Sequence, residues 1–338
     1  MAGDAGHFCW RPLLRNGGRV AEARLSVPEG DDRLAVFRTV RDFFRHAVSR
    51  FNAADLVYGH GTTNAVDEAA FLVLEGLHLP IDSLDPFLDA ALTGEERAHL
   101  LGLIDARVAT RKPAAYLLNC AYIQGVRFYV DERVIVPRSF IGELLFGGLV
   151  GDGSLIEDPE AIESALDLCT GGGSLAILAA RTFPNARIEA VDLSPDALAV
   201  ARRNVEEHGL AERIALREGD LFAPLGAARY DLILTNPPYV DAESFAAFPP
   251  EYAAEPRLAH EGGRDGLDIV RRILREAGAH LTPRGVLVCE IGAGRARLEA
   301  EFPDMPLFWL DTEESEGEVF FVRAADLVAP RRKGKPRH

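Results

Sequence analysis

Apolar residues recur at helical spacing in three stretches near the start of the chain. Two of these stretches are residues 38–51 and 64–77. The third begins at Thr93, where a capping box starts a helix, and it ends before Pro113, which cannot continue one. A stripe of this kind packs against other helices more often than against a cofactor. The pattern predicts a small N-terminal helical domain over residues 33–118.

The period changes to that of β-strands over residues 121–137. Alternating β-forming residues flank the run Asp131-Glu132-Arg133, which predicts a β-hairpin with its turn there. This hairpin and a connector are assigned to residues 119–146. The following residues, 147–159, are rich in Gly and Asp and are interpreted as a linker.

Strands and helices alternate from residue 165 onward. Strands are predicted at 165–169, 187–192, 213–217, 231–235 and 285–290, and helices near 174–182, 195–208, 266–280 and 294–301. Two further strands, 307–310 and 318–322, have no helix between them and therefore run antiparallel. The fold class is α/β, and the sheet resembles the seven-stranded, Rossmann-like sheet of class I methyltransferases. This domain is assigned to residues 147–325.

Length and composition are those of a globular protein of about two domains, with 338 residues, 48% hydrophobic and 26% charged. The formal net charge of −15 argues against general binding to a phosphate backbone. It suits small molecules or a basic protein partner, although ordinary solubility charge explains it equally well. Residues 1–32 are expected to be a poorly ordered extension, and residues 326–338 form a basic tail.

The four cysteines lie far apart, so a disulfide framework is not expected. The sequence contains no recognisable signal peptide and no apolar stretch long enough to span a bilayer. The nine histidines show no metal-ligand spacing, and we expect no metal site. These features predict a cytoplasmic protein.

The pattern of residues 167–174 predicts a strand that runs into a glycine-rich turn and then a helix. Gly171 and Gly173 would let the backbone approach a ligand closely. Asp192 ends the next strand, 21 positions after Gly171, where a carboxylate can accept the hydroxyl hydrogens of a ribose. The turn at residues 219–222 could hold an adenine edge, although an ordinary surface turn would look the same. Together these features predict a nucleoside-bearing cofactor and leave S-adenosylmethionine and NAD both open.

The strand at 231–235 ends in Asn236-Pro237-Pro238-Tyr239. It reaches the carboxyl edge of the sheet, where ligands bind in open α/β folds. The two prolines have no N–H, so their carbonyls can only accept hydrogen bonds. Asn236 adds a side-chain acceptor, and Tyr239 adds an aromatic wall. The run therefore predicts a site for a planar group that bears an NH₂.

Such a nitrogen is a poor nucleophile because its lone pair is shared with a π system. The Asn236 side-chain oxygen and the Pro237 carbonyl can accept its two N–H hydrogens. This would orient the lone pair toward the methyl group of S-adenosylmethionine and stabilise the developing positive charge, without a general base. A rigid strand exit without catalytic function is the alternative, but Gly171, Gly173 and Asp192 at their offsets favour the catalytic interpretation.

Residues 236–239, after the motif at 167–173, resemble the signature of amino methyltransferases that act on adenine, cytosine or glutamine. Residues 136–144 and 58–62 are similar to one branch, the ribosomal-protein glutamine N(5)-methyltransferases. That branch modifies a glutamine in the third protein of the large ribosomal subunit. The release-factor branch has a Pro-Arg-Pro-x-Thr-Glu run at this point, from which Ser139 and Ile141 depart. The resemblance covers about residues 33–325.

The resemblance implies that S-adenosylmethionine is the cofactor and that residues 236–239 hold the glutamine amide. The candidate cofactor-binding residues are Asp167, Thr170, Gly171, Gly173, Asp192, Asp220, Leu221 and Asn236. The candidate catalytic residues are Asn236, Pro237, Pro238 and Tyr239. Gly172 and Ser174 stand where the family usually has Ser and often has Cys, and both preserve the tight turn.

Arg138, Ser139 and Glu143 are candidate substrate-binding residues, together with Asn236, Pro237 and Tyr239. We expect the first three to line the substrate entrance, although a junction with Ser139 as a helix N-cap fits equally well. The helical domain is expected to recognise the substrate, a basic protein of the large ribosomal subunit. The glycine-rich run 261–266 could close over the site or cap a helix.

Three other functions compete with this one. The sibling release-factor methyltransferase would use the same chemistry on another protein. An adenine N6-methyltransferase of DNA or RNA would share the four-residue turn, but the acidic charge opposes it and no stable nucleic-acid binding is expected. A non-catalytic ribosome-assembly factor is opposed by the intact Gly171, Asp192 and Asn236.

Overall fold

The computed structural model describes residues 31–151, 153–313 and 315–327. These residues form eleven α-helices and nine β-strands. The helices are α1 (Asp32–Val36), α2 (Val40–Ala53), α3 (Ala65–Gly76), α4 (Gly94–Thr110), α5 (Ala114–Leu117), α6 (Phe140–Phe146), α7 (Ser174–Thr182), α8 (Pro195–Glu207), α9 (Ala242–Ala246), α10 (Asp268–Glu276) and α11 (Arg295–Glu301). The strands are β1 (Ala121–Ile123), β2 (Val126–Phe128), β3 (Ser164–Leu168), β4 (Arg187–Asp192), β5 (Ile214–Glu218), β6 (Tyr230–Thr235), β7 (Leu281–Glu290), β8 (Phe308–Leu310) and β9 (Val319–Arg323).

The helical part consists of α1 to α5 around a core of its own. Phe43 and Phe51 of α2 pack with Leu72 of α3 and Ile104 of α4, and all four side chains are fully buried. The predicted capping box is confirmed, since Thr93 and Glu96 exchange side-chain and backbone hydrogen bonds at the start of α4. Most of the predicted extension 1–32 and of the basic tail lies outside the described residues, but Asp31 caps α1.

The hairpin prediction is correct in its existence and wrong in its turn. β1 and β2 pair antiparallel, and the turn between them is Gln124-Gly125, with φ angles of 49° and 71°. Two consecutive positive φ angles are what a two-residue turn of the twisted hairpin type requires. Val130 and Val134, on either side of residues 131–133, instead bury their side chains in a small apolar cluster against α8.

Residues 147–159 are not a simple linker. Leu149 and Ile156 are buried in the apolar core on one face of the large sheet. The Ile156 amide donates to the Leu149 carbonyl at 2.9 Å. Leu149 and Ile156 return this segment to the same core, so its composition alone suggested a freer segment than the packing allows.

The large sheet has seven strands in the order β5-β4-β3-β6-β7-β9-β8. β3 to β7 are parallel, and β9 runs antiparallel between β7 and β8. This confirms the predicted α/β class and the antiparallel final strands. The carboxyl ends of the five parallel strands meet at one edge, and the chain leaves the neighbouring β3 and β6 at that edge toward opposite sides of the sheet.

Within the described residues, no helix combines the length and the apolar character that crossing a membrane would require.

Replacing Arg107 is expected to destabilise the helical part by about 3–5 kcal/mol. Arg107 of α4 is fully buried against Glu68 of α3, and it also donates to the Arg111 carbonyl at 2.9 Å. Arg107→Leu would leave the Glu68 carboxylate buried without its cation. Urea unfolding measures the change, with Arg41→Ala as the control because the Arg41–Asp89 pair is exposed. Equal unfolding free energies for Arg107→Leu and wild type would contradict this prediction.

Candidate active site

The glycine-rich turn after β3 is built around the buried carboxyl of Asp167. Its Oδ2 accepts hydrogen bonds from the Thr170 hydroxyl at 2.5 Å and from the Ala176 amide at 3.0 Å. Its Oδ1 is buried and has no hydrogen-bond partner among the described residues. Burial raises the pKa of Asp167 to about 7. One oxygen therefore holds the turn in place, and the other is a buried acceptor without a donor among the described residues.

Asp192, at the end of β4, joins the glycine-rich turn to the neighbouring strand. Its carboxylate accepts from the Gly171 amide at 2.8 Å and from the Ser194 amide at 2.9 Å. Burial raises its pKa, and the amide hydrogen bonds oppose that shift. Gly173, the N-cap of α7, has a φ of +81° and lies close to the Ala201 side chain, so a larger residue would strain the turn.

The turn after β5 lies beside Asp192, since the Gly219 amide donates to the Asp192 carbonyl at 3.0 Å. The Asp220 carboxylate is half exposed and pairs with Arg272 of α10 at 2.8 Å. Leu221 is buried, with a φ of 49°. The structure thus brings the predicted third segment to the same edge of the sheet, with the Asp220 carboxylate turned to a cation that the sequence analysis did not consider.

Asn236 follows β6, the neighbour of β3. The last residue of β6, Thr235, donates its hydroxyl to the Leu168 carbonyl at 3.0 Å, which holds the ends of the two strands together. A cavity of about 50 Å³ has Asn236, Thr170, Gly171 and Ser139 in its wall. Candidate residues from the glycine-rich turn, from residues 236–239 and from the connector therefore meet in one place.

Tyr239 is enclosed by residues distant in sequence. Its ring packs against Gly292, where an added Cβ would lie 2.7 Å from the ring edge. Its hydroxyl donates to Glu290 Oε1 at 3.1 Å. Burial and the neighbouring Glu290 raise the pKa of Tyr239 well above its usual value. The aromatic wall predicted for the site is thus held in a fixed orientation.

The glycine-rich run 261–266 packs behind Tyr239. The Gly262 amide donates to the Val240 carbonyl at 2.9 Å, and the Gly262 carbonyl accepts from the Asp268 amide at the start of α10. Of the two predicted alternatives, capping a helix agrees with the contact to Asp268, although the N-cap residue of α10 is Leu267, just after the run. The contact to Val240 holds the backbone that follows Tyr239.

The three candidate entrance residues have different environments. Ser139 is the N-cap of α6 and accepts from the Ile141 amide, in agreement with the predicted junction. Arg138 directs its guanidinium to Glu255, with hydrogen bonds of 2.6 and 2.8 Å. Glu143 accepts from the Glu313 amide at 2.8 Å. All three line a cleft of about 670 Å³ between the helical part and α6.

Glu255 is a buried residue whose role the sequence analysis missed. Besides Arg138, His260 Nε2 lies 2.9 Å and His60 Nε2 lies 3.6 Å from its Oε2. Burial by itself would raise the pKa of Glu255, but the hydrogen bonds from Arg138 and the nearness of the two histidines outweigh it and hold the pKa well below its usual range. Glu251 is also buried and also contacts the helical part, since its carboxylate accepts from the Val57 amide at 3.0 Å. The segment after Tyr239 is thereby fastened to the helical part.

Two further residues were missed. Asn204 of α8 is buried and donates to the Gly172 carbonyl at 2.8 Å and to the Tyr129 carbonyl at 3.0 Å, which ties the glycine-rich turn to the connector. Glu290 ends β7 at the ligand-binding edge. The sequence did offer a signal for Glu290, because a carboxylate at the end of a predicted parallel strand is the same pattern that pointed to Asp192.

Comparison with known proteins finds a matching domain family and similar solved structures. Residues 154–248 match the methyltransferase small domain family. A methyltransferase from Pyrococcus furiosus is similar in structure, with a TM-score of 0.43 and 17% identity over 64% of this chain and 96% of that one. The sheet order, the glycine-rich turn and the matched domain define a class I methyltransferase.

Relatives in sequence are much more similar. The ribosomal protein uL3 glutamine methyltransferase of Bradyrhizobium diazoefficiens is 61% identical over 313 residues, which cover 92% of this chain and 97% of the relative. The protein of the same name from Burkholderia pseudomallei is 57% identical over 87% of this chain and 97% of its own length. The chain belongs to the ribosomal protein uL3 glutamine methyltransferase family.

Gly262→Ala is expected to lower the methyl-transfer rate at least about tenfold, because small displacements at a reacting centre reduce rates strongly. The added Cβ would lie 2.5 Å from the Gly266 carbonyl oxygen and 2.7 Å from the Tyr239 Cα, so the backbone at Gly266 and Tyr239 must move. Gly94→Ala is the control, since its Cβ would meet only Arg97, at 3.9 Å. A kcat for Gly262→Ala equal to that of the control would contradict the assigned importance of this packing.

Proposed function

We propose that this enzyme transfers a methyl group from S-adenosylmethionine to the side-chain amide nitrogen of a glutamine in ribosomal protein uL3. The observation that carries the proposal is the 61% identity to a uL3 glutamine methyltransferase over nearly the whole of both chains. The turn at residues 236–239 supports it, because it lies at the carboxyl end of β6 beside the glycine-rich turn after β3.

The residues around Asp167 suit S-adenosylmethionine. The buried Asp167 Oδ1 without a partner is a fitting acceptor for the ammonium of the methionine part. Asp192 keeps lone pairs for ribose hydroxyls beyond the two amides it accepts from. Thr170, Gly171 and Gly173 give the turn its shape, and Asp220 and Leu221 border the adenine. The cofactor supplies an electrophilic methyl group carried on a sulfonium.

The amide site needs no general base. The Asn236 side-chain oxygen and the Pro237 carbonyl accept the two N–H hydrogens of the glutamine, which directs the nitrogen lone pair to the methyl group and stabilises the charge that develops there. Pro238 keeps the turn rigid, and Tyr239 forms its aromatic wall. Once methylated, the nitrogen is acidic and loses its proton to solvent.

The substrate reaches this site through the cleft of about 670 Å³. Thr62 and Thr63 of the helical part face Glu143 and Phe146 of α6 across it, and Arg138 and Ser139 connect it to the cavity at Asn236. Glu143 and Glu313 form no ion pair among the described residues, so the cleft offers negative charge to a basic ribosomal protein. We therefore assign substrate recognition to residues 33–118, with 119–146 as the connector and 147–325 as the methyltransferase domain.

The alternatives are less well supported. Relatives from Bradyrhizobium, Burkholderia and Bordetella, all above 50% identical, carry the uL3 name, and none of these names refers to a release factor or a nucleic acid. The chain's acidic charge of −15 also disfavours a nucleic-acid substrate.

Methyl transfer to uL3 from a strain that lacks the gene tests the function, with the modified residue mapped by mass spectrometry. We expect one methyl group on a glutamine of uL3. Asn236→Ala should lower kcat by about 100-fold or more with little change in cofactor affinity, because the lost acceptor acts on the developing charge. Asp192→Ala should mainly weaken cofactor binding. Label on a release factor or on nucleic acid alone would overturn the proposal, and equal losses of cofactor affinity would overturn the division of roles.

The affinity for S-adenosylmethionine is expected to rise with pH through about 7. Because the pKa of Asp167 is about 7, the carboxyl is protonated and cannot bind an ammonium by charge at lower pH. Below the pKa, the affinity should fall about tenfold per pH unit. Calorimetric titration measures this dependence, and Asp167→Asn should bind weakly with a flat profile. A pH dependence that persists in Asp167→Asn would assign it to another group.

A further inference from the structure

Glu290 is a nearly fully buried residue whose carboxylate contacts both Tyr239 and the start of α6. From the end of β7, its Oε1 accepts from the Tyr239 hydroxyl at 3.1 Å. Its Oε2 accepts from the Ser139 hydroxyl at 2.7 Å and from the Phe140 amide at 3.0 Å. One side chain thus connects the catalytic turn to the first turn of α6, although these segments are about a hundred residues apart in sequence.

The donors around Glu290 are all neutral. No described Lys, Arg or His forms an ion pair with it, and Glu318 lies near enough to oppose its ionisation. Burial raises the pKa of Glu290 to about 7. A carboxyl group in this setting is unfavourable for stability unless its hydrogen bonds are satisfied. Three neutral donors meet this need, and they come from the segments on the two sides of the site.

The arrangement gives Tyr239 a fixed position. Gly292, two residues after Glu290, lies against one edge of the ring, and the Glu290 carboxylate accepts from the hydroxyl. Ser139 and Phe140 begin the helix that lines the substrate cleft, and Ser139 also borders the cavity beside Asn236. The same carboxylate therefore sets the distance between the aromatic wall and the substrate entrance.

We propose that Glu290 is a positioning residue for methyl transfer, which holds the Tyr239 ring and the start of α6 in the relative placement that the glutamine amide requires. This inference rests on the proposed function for its substrate. Glu290 acts through Tyr239 and Ser139 and takes no proton from the substrate.

A positioning role makes a distinctive prediction for two substitutions. Glu290→Gln keeps the shape of the side chain, with an oxygen that can accept from Ser139 and Phe140 and an amide that can donate to the Tyr239 oxygen. Its kcat should stay within about threefold of wild type. Glu290→Ala removes every contact and should lower kcat by about 10–100-fold, while the dissociation constant for S-adenosylmethionine changes less than about twofold.

Tyr239→Phe tests the same contact from the other side and should fold even where Glu290→Ala does not. We expect its kcat to fall several-fold, and Glu290→Ala should have a smaller effect in the Tyr239→Phe background than in wild type, because the two substitutions remove one shared hydrogen bond. The matched control is Tyr230→Phe, whose hydroxyl donates to Glu189 at 2.6 Å at the start of β6, away from the site. Its kcat should equal that of wild type.

The outcomes separate this proposal from the function on which it rests. Failure of the wild-type enzyme to methylate uL3 would overturn the proposed function. With an active wild type, an unchanged kcat in Tyr239→Phe or Glu290→Ala would overturn the positioning role. A loss in Glu290→Gln as large as that in Glu290→Ala would also overturn it, since the charge and not the placement would then matter.

Discussion

Asp167 and Glu290 are nearly fully buried near the carboxyl ends of β3 and β7, and no described cation forms an ion pair with either carboxylate. A buried carboxyl without a cation favours its protonated form, and each has a pKa of about 7. Neutral donors from turns and helix starts instead bind Asp167 Oδ2 and both oxygens of Glu290. The positions of the glycine-rich turn, of Tyr239 and of α6 all depend on these hydrogen bonds.

Two other buried carboxylates, those of Glu251 and Glu255, do form ion pairs with cations, and their role is different. Both residues follow the turn at 236–239. Glu251 contacts Arg111 of the helical part, and Glu255 contacts His60 of the helical part and Arg138 of the connector. Since removing one partner of such a pair leaves an uncompensated charge, these contacts strongly favour one placement of the helical part on the catalytic part. An ion pair therefore holds Arg138 at the cleft of about 670 Å³, whereas the glycine-rich turn and Tyr239 contact their carboxylates through neutral donors.

Patterns that repeat along the chain predicted the elements well. The helix 174–182 has the predicted bounds, and the predicted strands at 187–192 and 231–235 agree with β4 and β6 to within one residue. In α7 the buried residues are consecutive, from Leu175 to Ala180, and most of β6 is buried as well, so short apolar runs between turn residues marked these elements. The single-turn helix α5 has no helical period, and the hairpin turn was misplaced because the strand-forming residues near 131–133 bury their side chains in another cluster.

The sequence by itself determined the fold class and the chemistry, because the glycine-rich turn, Asp192 and residues 236–239 occur at fixed offsets from strands that share one edge. The spatial proximity of the candidate residues and the environment of each carboxyl were decided only by the tertiary structure. Glu290 lies about fifty residues from Tyr239 and about one hundred and fifty from Ser139, so no local pattern could connect them. Their contact arises from the order in which β6 and β7 pair and from the packing of α6 on β7, which are properties of the folded chain.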